Sequence, residues 1–408
     1  MDMGKSNRKN IIILSFTLVV VMLGYGMVIP IFPFYIERLG AGGSELGLLI
    51  AVYAFMQFLF APVWGSVSDR IGRKPVLMLG MVGNGLTLLL MGLATRLWML
   101  FVARTLSGIL SSATLPTSMA YVSDSTSEEG RGGGIGILAA GMGLGVILGP
   151  GLGGWLAAES LTTPFFIAVG LSLLSLLLIA LLLPESLPAE TRQQTEGKGK
   201  TPMRIGELGR ALFSPIGVLL FMAFLVSFGL TNFEAIFGLY ALGKFDYGPE
   251  RVGTILMVIG VVSTIVQGAL TGPLTKRWGE AAIIKISLLA SSVAFLVLLS
   301  ANTYLTILLT TGFFILSKTL LRPAVASLTS RQAIVGQGVA MGLNNSFSSL
   351  GRIAGPIWAG FVFDIHFDYP YLSGAVVLFV GFLISLVWVS QEGKETTGAG
   401  AQPAADPY

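Results

Sequence analysis

The sequence predicts an all-α membrane protein: twelve transmembrane helices arranged as two pseudo-symmetric six-helix bundles. Three observations predict it. Of the 408 residues, 53% are hydrophobic and only 11% charged, whereas about a quarter are charged in an ordinary soluble domain. Twelve apolar stretches approach or exceed the length needed to cross ~30 Å of hydrocarbon at about 1.5 Å per residue. Landmarks in the first half recur in the second at a nearly fixed offset.

The twelve stretches cover 11–35, 46–64, 76–94, 98–122, 134–157, 164–183, 213–242, 252–274, 283–301, 305–328, 339–363 and 372–389. The first follows Lys5, Arg8 and Lys9; it is too long for a signal peptide, and no small-residue cleavage site follows it. The second and third flank a charged loop, Gly65 to Pro75. The fourth carries Arg104, and the fifth is built on glycines. Beyond the sixth, the polar run PESLPAETRQQTEGKGKTPMRIGELGRA cannot enter a bilayer. Glu234 lies in the seventh, within the stretch LTNFEAIFGLY. The eighth and ninth flank GPLTKRWG, the tenth carries Lys318 and Arg322, the eleventh contains GLNNSFSSLGRIAGP, and the twelfth leads into a polar tail. The expected organisation is a bundle over 1–183, a linker over 184–212, a second bundle over 213–391 and a disordered tail over 392–408.

The repeat has four markers. Gly149-Pro150 returns as Gly355-Pro356 and Gly47 as Gly253, each 206 positions on; Pro116 returns as Pro323 and GSVSDRIG from Gly65 as GPLTKRWG from Gly272, each 207 on. Two facing bundles around a central cavity are the architecture of an alternating-access carrier. Lys and Arg crowd one set of loops, including Lys5, Arg8, Lys9, Arg70, Arg73, Lys74 and Arg131, against only Arg38, Arg96, Lys244 and Arg251 on the other side. Both termini are therefore expected to be cytoplasmic. The net charge of +4 has this topological origin, and no nucleic-acid surface is implied.

Several chemistries are excluded. With no cysteine and one histidine, His366, there is neither a thiolate nor a histidine cluster for a metal. The sequence holds no nucleophile-base-acid set or phosphate loop, so no catalytic residue is assigned and an enzyme is not expected.

Charges within the apolar stretches are the functional candidates, since each costs ~2.5–3.5 kcal/mol when it faces lipid. Glu234 is the acid near the middle of a span; Arg104, Lys318, Arg322 and Arg352 are the bases. A titratable group in such a place can carry a proton. Alternatively, Glu234 forms a permanent ion pair with Lys318 or Arg322, which lie four residues apart on one helix face. Arg352 falls in a glycine-rich packing segment and reads as structural. Tyr25, Tyr53, Gln57, Phe233, Phe237, Phe314, Asn344, Asn345 and Phe347 form the candidate substrate surface, aromatic with a few polar groups. The alternative for each aromatic is ordinary packing. Such a surface suits lipophilic, often cationic molecules, with Glu234 as countercharge.

GSVSDRIGRKP, from Gly65 to Pro75, closely resembles the signature loop of the major facilitator superfamily. RTLSGILSS on helix four, GLGVILGPGLGG on helix five and the prolines of GYGMVIPIFPFY on helix one resemble that superfamily's drug/proton antiporter motifs. TNFEAIF, LLRPA and GLNNSFSSLGRIAGP are similar to the NorA and Bmr type of multidrug efflux pump, and AVYAFMQFLFAP and SDRIGRKPVLML to tetracycline/proton antiporters.

The resemblance implies a multi-pass protein of the bacterial cytoplasmic membrane, acting as a monomer without cofactors and driven by the proton gradient. Its partners would be lipophilic small molecules, protons and the bilayer. Asp69 would cap a helix of the opposite half and, with Gly65, Arg70, Gly72, Arg73 and Lys74, form a cytoplasmic gate. Gly145, Gly149, Pro150, Gly153 and Gly154 would form the antiporter hinge and seal. Close helix packing alone would also account for glycines at every fourth position from Gly141. Arg104 would take part in proton transfer or hold a proton-linked water, the alternative being an arginine bonded to backbone carbonyls for packing, and Gln57 matches a glutamine in the family's second helix. One departure stands out: NorA-type pumps carry an aspartate three positions before the Arg-Pro pair, where this chain has Thr319 beside Lys318. A carrier for a metabolite or lipid-linked sugar is the alternative function.

Overall fold

The computed structural model describes residues 5–187, 213, 216–332 and 337–389; nearly all of the expected linker and the tail from 392 lie outside the described residues. The described residues are almost wholly helical. A backbone in hydrocarbon must satisfy its own polar groups, and a helix does so within one segment.

The helices are α1 (Lys5–Arg38), α2 (Gly43–Ile71), α3 (Arg73–Gly92), α4 (Leu97–Leu110), α5 (Thr114–Ser125), α6 (Glu128–Ala157), α7 (Thr163–Leu182), α8 (Gly217–Phe245), α9 (Pro249–Ile265), α10 (Thr271–Leu299), α11 (Tyr304–Thr319), α12 (Leu321–Arg331), α13 (Gln337–Ile365) and α14 (Tyr369–Trp388). Local signals set their starts. Ser127 caps α6 by accepting from the Gly130 amide, Thr303 caps α11, and prolines stand in the first turn of α7, α9 and α14. The Glu185 carboxylate accepts from the Arg73 and Lys74 amides at 2.9 and 3.2 Å, capping α3 from beyond the end of α7.

Among the described residues, fourteen α-helices make twelve crossings. A 3₁₀ turn, Ser111–Ala113, joins α4 to α5, and α12 continues α11 after Leu320. From Pro249 to Leu299 the chain is helical for 51 residues, more than twice the ~20 needed for one crossing. A π-helical segment, Val266–Leu270, bridges α9 and α10, and at Gly279 φ turns to 77°, ending one span and starting the next. The α13 helix is the least obvious span, because Asn344, Asn345, three serines and Arg352 dilute its apolar residues.

The duplication is written into the backbone. Among the described residues, positive φ occurs at Gly40, Gly72, Asp246 and Gly279. Gly40 and Asp246 are 206 positions apart and follow α1 and α8; Gly72 and Gly279 are 207 apart and close the two copies of the charged loop. At Gly72 and Gly279 the backbone values, φ 106° and ψ 160° against φ 77° and ψ 160°, are ones an L side chain rarely adopts.

Alternation of the spans puts both ends of the described chain on one face, here the terminal face; the α1–α2 turn marks the opposite turn face. The halves meet along two seams, α2 on α13 and α6 on α9. Near the turn face these seams are backbone-tight. A β-carbon on Gly47 would collide with the Pro356 carbonyl, and one on Gly253 with the Pro150 carbonyl. These are the repeat markers again, each glycine meeting the other half's proline. Toward the terminal face, β-carbons on Gly65 of α2, Gly132, Gly133 and Gly136 of α6, Gly268 and Gly272 near the start of α10, and Gly338 and Gly342 of α13 would meet nothing within 4 Å. The halves are closed at the turn face and splayed at the terminal face.

Candidate functional site

The splayed halves enclose a site built mainly from α1, α2 and α4 on one side and α8, α11, α12 and α13 on the other. Glu234, on α8, has a side chain 37% exposed and faces Lys318 of α11, with Oε1 to Nζ at 3.9 Å. This is an ion pair at the limit of contact. Lys318 also lies 5.9 Å from the centre of the Phe314 ring. Arg322, one turn on and in α12, borders a small cavity with Ser227, Asn344 and Ser348.

Across the cavity, Arg104 is buried. Its Nε donates to the Leu49 carbonyl at 3.4 Å, and its guanidinium lies 4.4 Å from the centre of the Tyr53 ring and 5.1 Å from that of Phe32. Aromatic faces stabilise a buried cation that has no carboxylate partner. The Tyr25 and Tyr53 rings are 5.6 Å apart, and Gln57 donates to the Tyr53 hydroxyl at 3.4 Å. The helix that carries Tyr25, α1, packs against α8, which carries Glu234. Tyr25, Tyr53 and Arg104 line a small cavity within the first half, which Gln57 joins through Tyr53; Arg322 borders one within the second half, where Glu234 faces Lys318.

Other expected residues are elsewhere. Phe233, Phe237 and Phe314 have no more than 1% of their surface exposed. Phe233 and Phe314 pack with Phe295 and Tyr371 inside the second half, Phe295 to Phe314 at 4.3 Å and Phe233 to Phe314 at 5.0 Å, and Phe237 packs on Phe233 at 5.0 Å, so in this conformation they pack and do not line the cavity. Phe347 is buried as well. Asn344 is buried with its Oδ1 unpartnered, while Asn345 is exposed on the same helix. Arg352 departs from its structural reading: it is exposed, and its one hydrogen bond among the described residues is from Nη2 to Ser349, at 2.9 Å.

The expected cytoplasmic-gate residues lie on the terminal face. Arg73 is the hub, joining Asp69 at 2.5 Å, Asp124 at 2.8 Å and the Ser68 hydroxyl at 2.7 Å. Lys74 donates to the Ala180 carbonyl at 2.8 Å, and Arg70 is exposed. Every one of these partners belongs to the first half. The expected cap by Asp69 on a helix of the opposite half is not made in this conformation, because that face is open.

The glycines of α6 divide their work. Gly145, Gly149 and Gly153 pack against the α1 backbone within the first half, whereas Pro150 and Gly154 touch α9 of the second. The expected seal between halves therefore rests on Pro150 and Gly154, and the every-fourth face is helix packing.

Sequence reading missed the strongest tie between the halves. Asp364, at the end of α13, accepts from the Gly43 amide at 2.7 Å and the Ser44 amide at 2.9 Å, and also from the Ser44 hydroxyl. It caps the start of α2 with a full charge. The pair Gly42-Gly43, which lets two backbones meet, was the available signal. On the second seam, Trp155 Nε1 donates to Thr254 Oγ1 at 2.9 Å.

Twelve spans in two repeated halves around a central charged cavity define a membrane carrier. The chain belongs to the Major Facilitator Superfamily, whose model matches residues 14–336 and again 219–406. It is 33% identical over 377 residues to multidrug resistance protein 2 of Bacillus subtilis (strain 168), spanning 92% of this chain and 94% of that protein. It is 29% identical over 389 residues to quinolone resistance protein NorA of Staphylococcus aureus (strain COL), spanning 95% and 98%. Two solved structures share the fold: the nucleoside transporter NupG, with TM-score 0.76 at 15% identity over 94% of this chain and 99% of that one, and a bacterial homologue of the human lysosomal transporter Spinster, with TM-score 0.76 at 14% identity over 95% and 96%. The protein is a multi-pass membrane transporter and not an enzyme.

Proposed function

We propose that this transporter exports lipophilic drugs across the bacterial cytoplasmic membrane by alternating access, coupled to protons moving inward. The observation that carries the reading is Glu234: among the described residues it is the one carboxylate at mid-span in the cavity, paired loosely enough with Lys318, at 3.9 Å, to exchange partners. The names of the relatives, a multidrug resistance protein and a quinolone resistance protein, support drug cargo. The Lys/Arg bias of the loops supports a cytoplasmic terminal face and cytoplasmic termini.

In this reading the splayed state takes up drug from the cytoplasmic side, against Tyr25, Tyr53 and Gln57. The bundles then rock about the two seams: the turn face opens, and the loop around Asp69 and Arg73 closes the terminal face. A proton from outside neutralises Glu234, frees Lys318 and accompanies release of the drug. Each inward charge supplies about 2.3 kcal/mol per ~100 mV of membrane potential. Arg104 orders the first-half wall through Tyr53. The protein works as a monomer without a cofactor.

The test is uphill movement of rhodamine B in proteoliposomes under an imposed pH gradient, with tetracycline and ethidium as competitors. Accumulation that a protonophore abolishes is the expected result. Only downhill movement, indifferent to the gradient, contradicts proton coupling.

A further inference from the structure

The charge inventory of the cavity points to the chemical class of the cargo. At mid-span stand four cations, Arg104, Lys318, Arg322 and Arg352, and one acid, Glu234, an excess of three positive charges. Arg104 rests on aromatic rings, and Lys318 takes up Glu234. Arg322 and Arg352 have no carboxylate: Arg352 has only its bond to Ser349, and Arg322 has no hydrogen bond or ion pair among the described residues. Arg352 stands four and eight residues beyond Ser348 and Asn344, on the face of α13 that borders the Arg322 cavity, so two cations without a carboxylate partner among the described residues stand in the part of the membrane where an uncompensated charge is most costly.

The surroundings are built for an anion. Arg322 borders a cavity between α8, α12 and α13 with Ser227, Asn344 and Ser348. Asn344 is 6% exposed, and its Oδ1 has no partner in the protein; the two ends of an amide are distinguished only by their hydrogen bonds, so the group can offer a donor to this space. In the first half, Tyr25, Tyr53 and Arg104 line a separate small cavity that likewise has no carboxylate in its lining. Guanidinium forks match carboxylates in plane and spacing, and the charge-assisted bond is among the strongest a site can make.

We propose that Arg322 and Arg352, with the Asn344 amide, form an anion-binding subsite, and that the preferred cargo is an amphipathic compound bearing a carboxylate, zwitterions included. The inference rests on the export reading above and refines it. The expectation of cationic cargo depended on Glu234 as a free countercharge; in the structure Lys318 already occupies that place.

The experiment compares rhodamine B, which carries a free carboxylate, with its ethyl ester, the same dye without it. Binding is measured by fluorescence anisotropy on the purified protein, and uphill transport in proteoliposomes. The wild type is expected to bind the acid at least ~10-fold tighter than the ester, about the effect of one charge-assisted hydrogen bond. Arg322→Gln and Arg352→Gln should each collapse that preference toward unity, and Arg322→Lys should keep part of it. Circular dichroism melting identifies any variant that fails to fold, in which case the other substitutions carry the comparison. Equal or tighter binding of the ester by the wild type, or an undiminished preference in both folded Gln variants, overturns the subsite. Uphill transport of the ester without preference for the acid overturns the subsite alone; failure to move either dye overturns the export reading with it.

Discussion

Arg73 pairs with Asp124 at 2.8 Å, and 207 positions on, at both partners, Glu280 pairs with Arg331 at 3.2 Å with the charges exchanged. The bridge has been kept through the duplication while its polarity has been reversed, so what the fold needs there is an attraction and not a particular sign. The Arg73 side chain is 7% exposed, and removing one partner of a buried pair costs ~3–5 kcal/mol.

Arg73→Glu alone sets a third carboxylate beside Asp69 and Asp124, and should lower the melting temperature and the yield of folded protein sharply. The double variant Arg73→Glu/Asp124→Arg copies the polarity of the second half. It should be clearly more stable than either single variant in a detergent thermal melt. Losses that simply add would sink the equivalence of the two bridges.

Asp364 holds the turn face closed by accepting from two backbone amides of α2. Asp364→Asn keeps the shape but removes the charge, and hydrogen bonds to a charged group are worth about 1.5–3 kcal/mol. The population open at the turn face should rise about tenfold or more. The chain has no cysteine, so spin labels on Ala158→Cys and Asn302→Cys, in opposite halves, report this opening without background. An unchanged distance distribution would remove Asp364 from the gate.

Gly47 and Gly253 should be equivalent. Each meets the carbonyl of the other half's proline with no room for a β-carbon, so Gly47→Ala and Gly253→Ala should both open the turn face, measured with the same labels. Gly133→Ala is the control, since a β-carbon there meets nothing within 4 Å. An effect at only one of the two seams would contradict their symmetry.

The spans were legible because hydrocarbon thickness fixes their length, and the halves because glycine and proline cannot be freely replaced where backbones meet. Gly47, Pro150, Gly253 and Pro356 were each visible as markers. That Gly47 meets Pro356 and Gly253 meets Pro150 was not, since a period in sequence does not say which copies touch. The glycine face of α6 was likewise legible, but its partner, α1, was not. Phe233, Phe237 and Phe314, open in the sequence to either packing or recognition because both use the same residues, pack away from the cavity in this conformation. Asp364 lies one residue beyond the predicted end of its span, where an acid looks like ordinary surface; its role depends on a helix start 321 residues earlier in the chain. Asp69 shows the opposite limit: the motif is unmistakable, but the contact it implies is not made in this structure, where Asp69 pairs with Arg73 of its own half. The pairing of Glu234 with Lys318 was one of the alternatives open in the sequence, and the geometry brings the two together.

The proposed role of Glu234 as carrier of the coupling proton is tested by gradient-driven transport by Glu234→Gln beside the wild type in proteoliposomes of equal protein content. The account predicts that the wild type concentrates rhodamine B against its gradient when a pH difference is imposed, while Glu234→Gln only equilibrates it, down to the level of the protonophore control. Uphill accumulation by Glu234→Gln at the wild-type rate would contradict the account and move the coupling site to another residue.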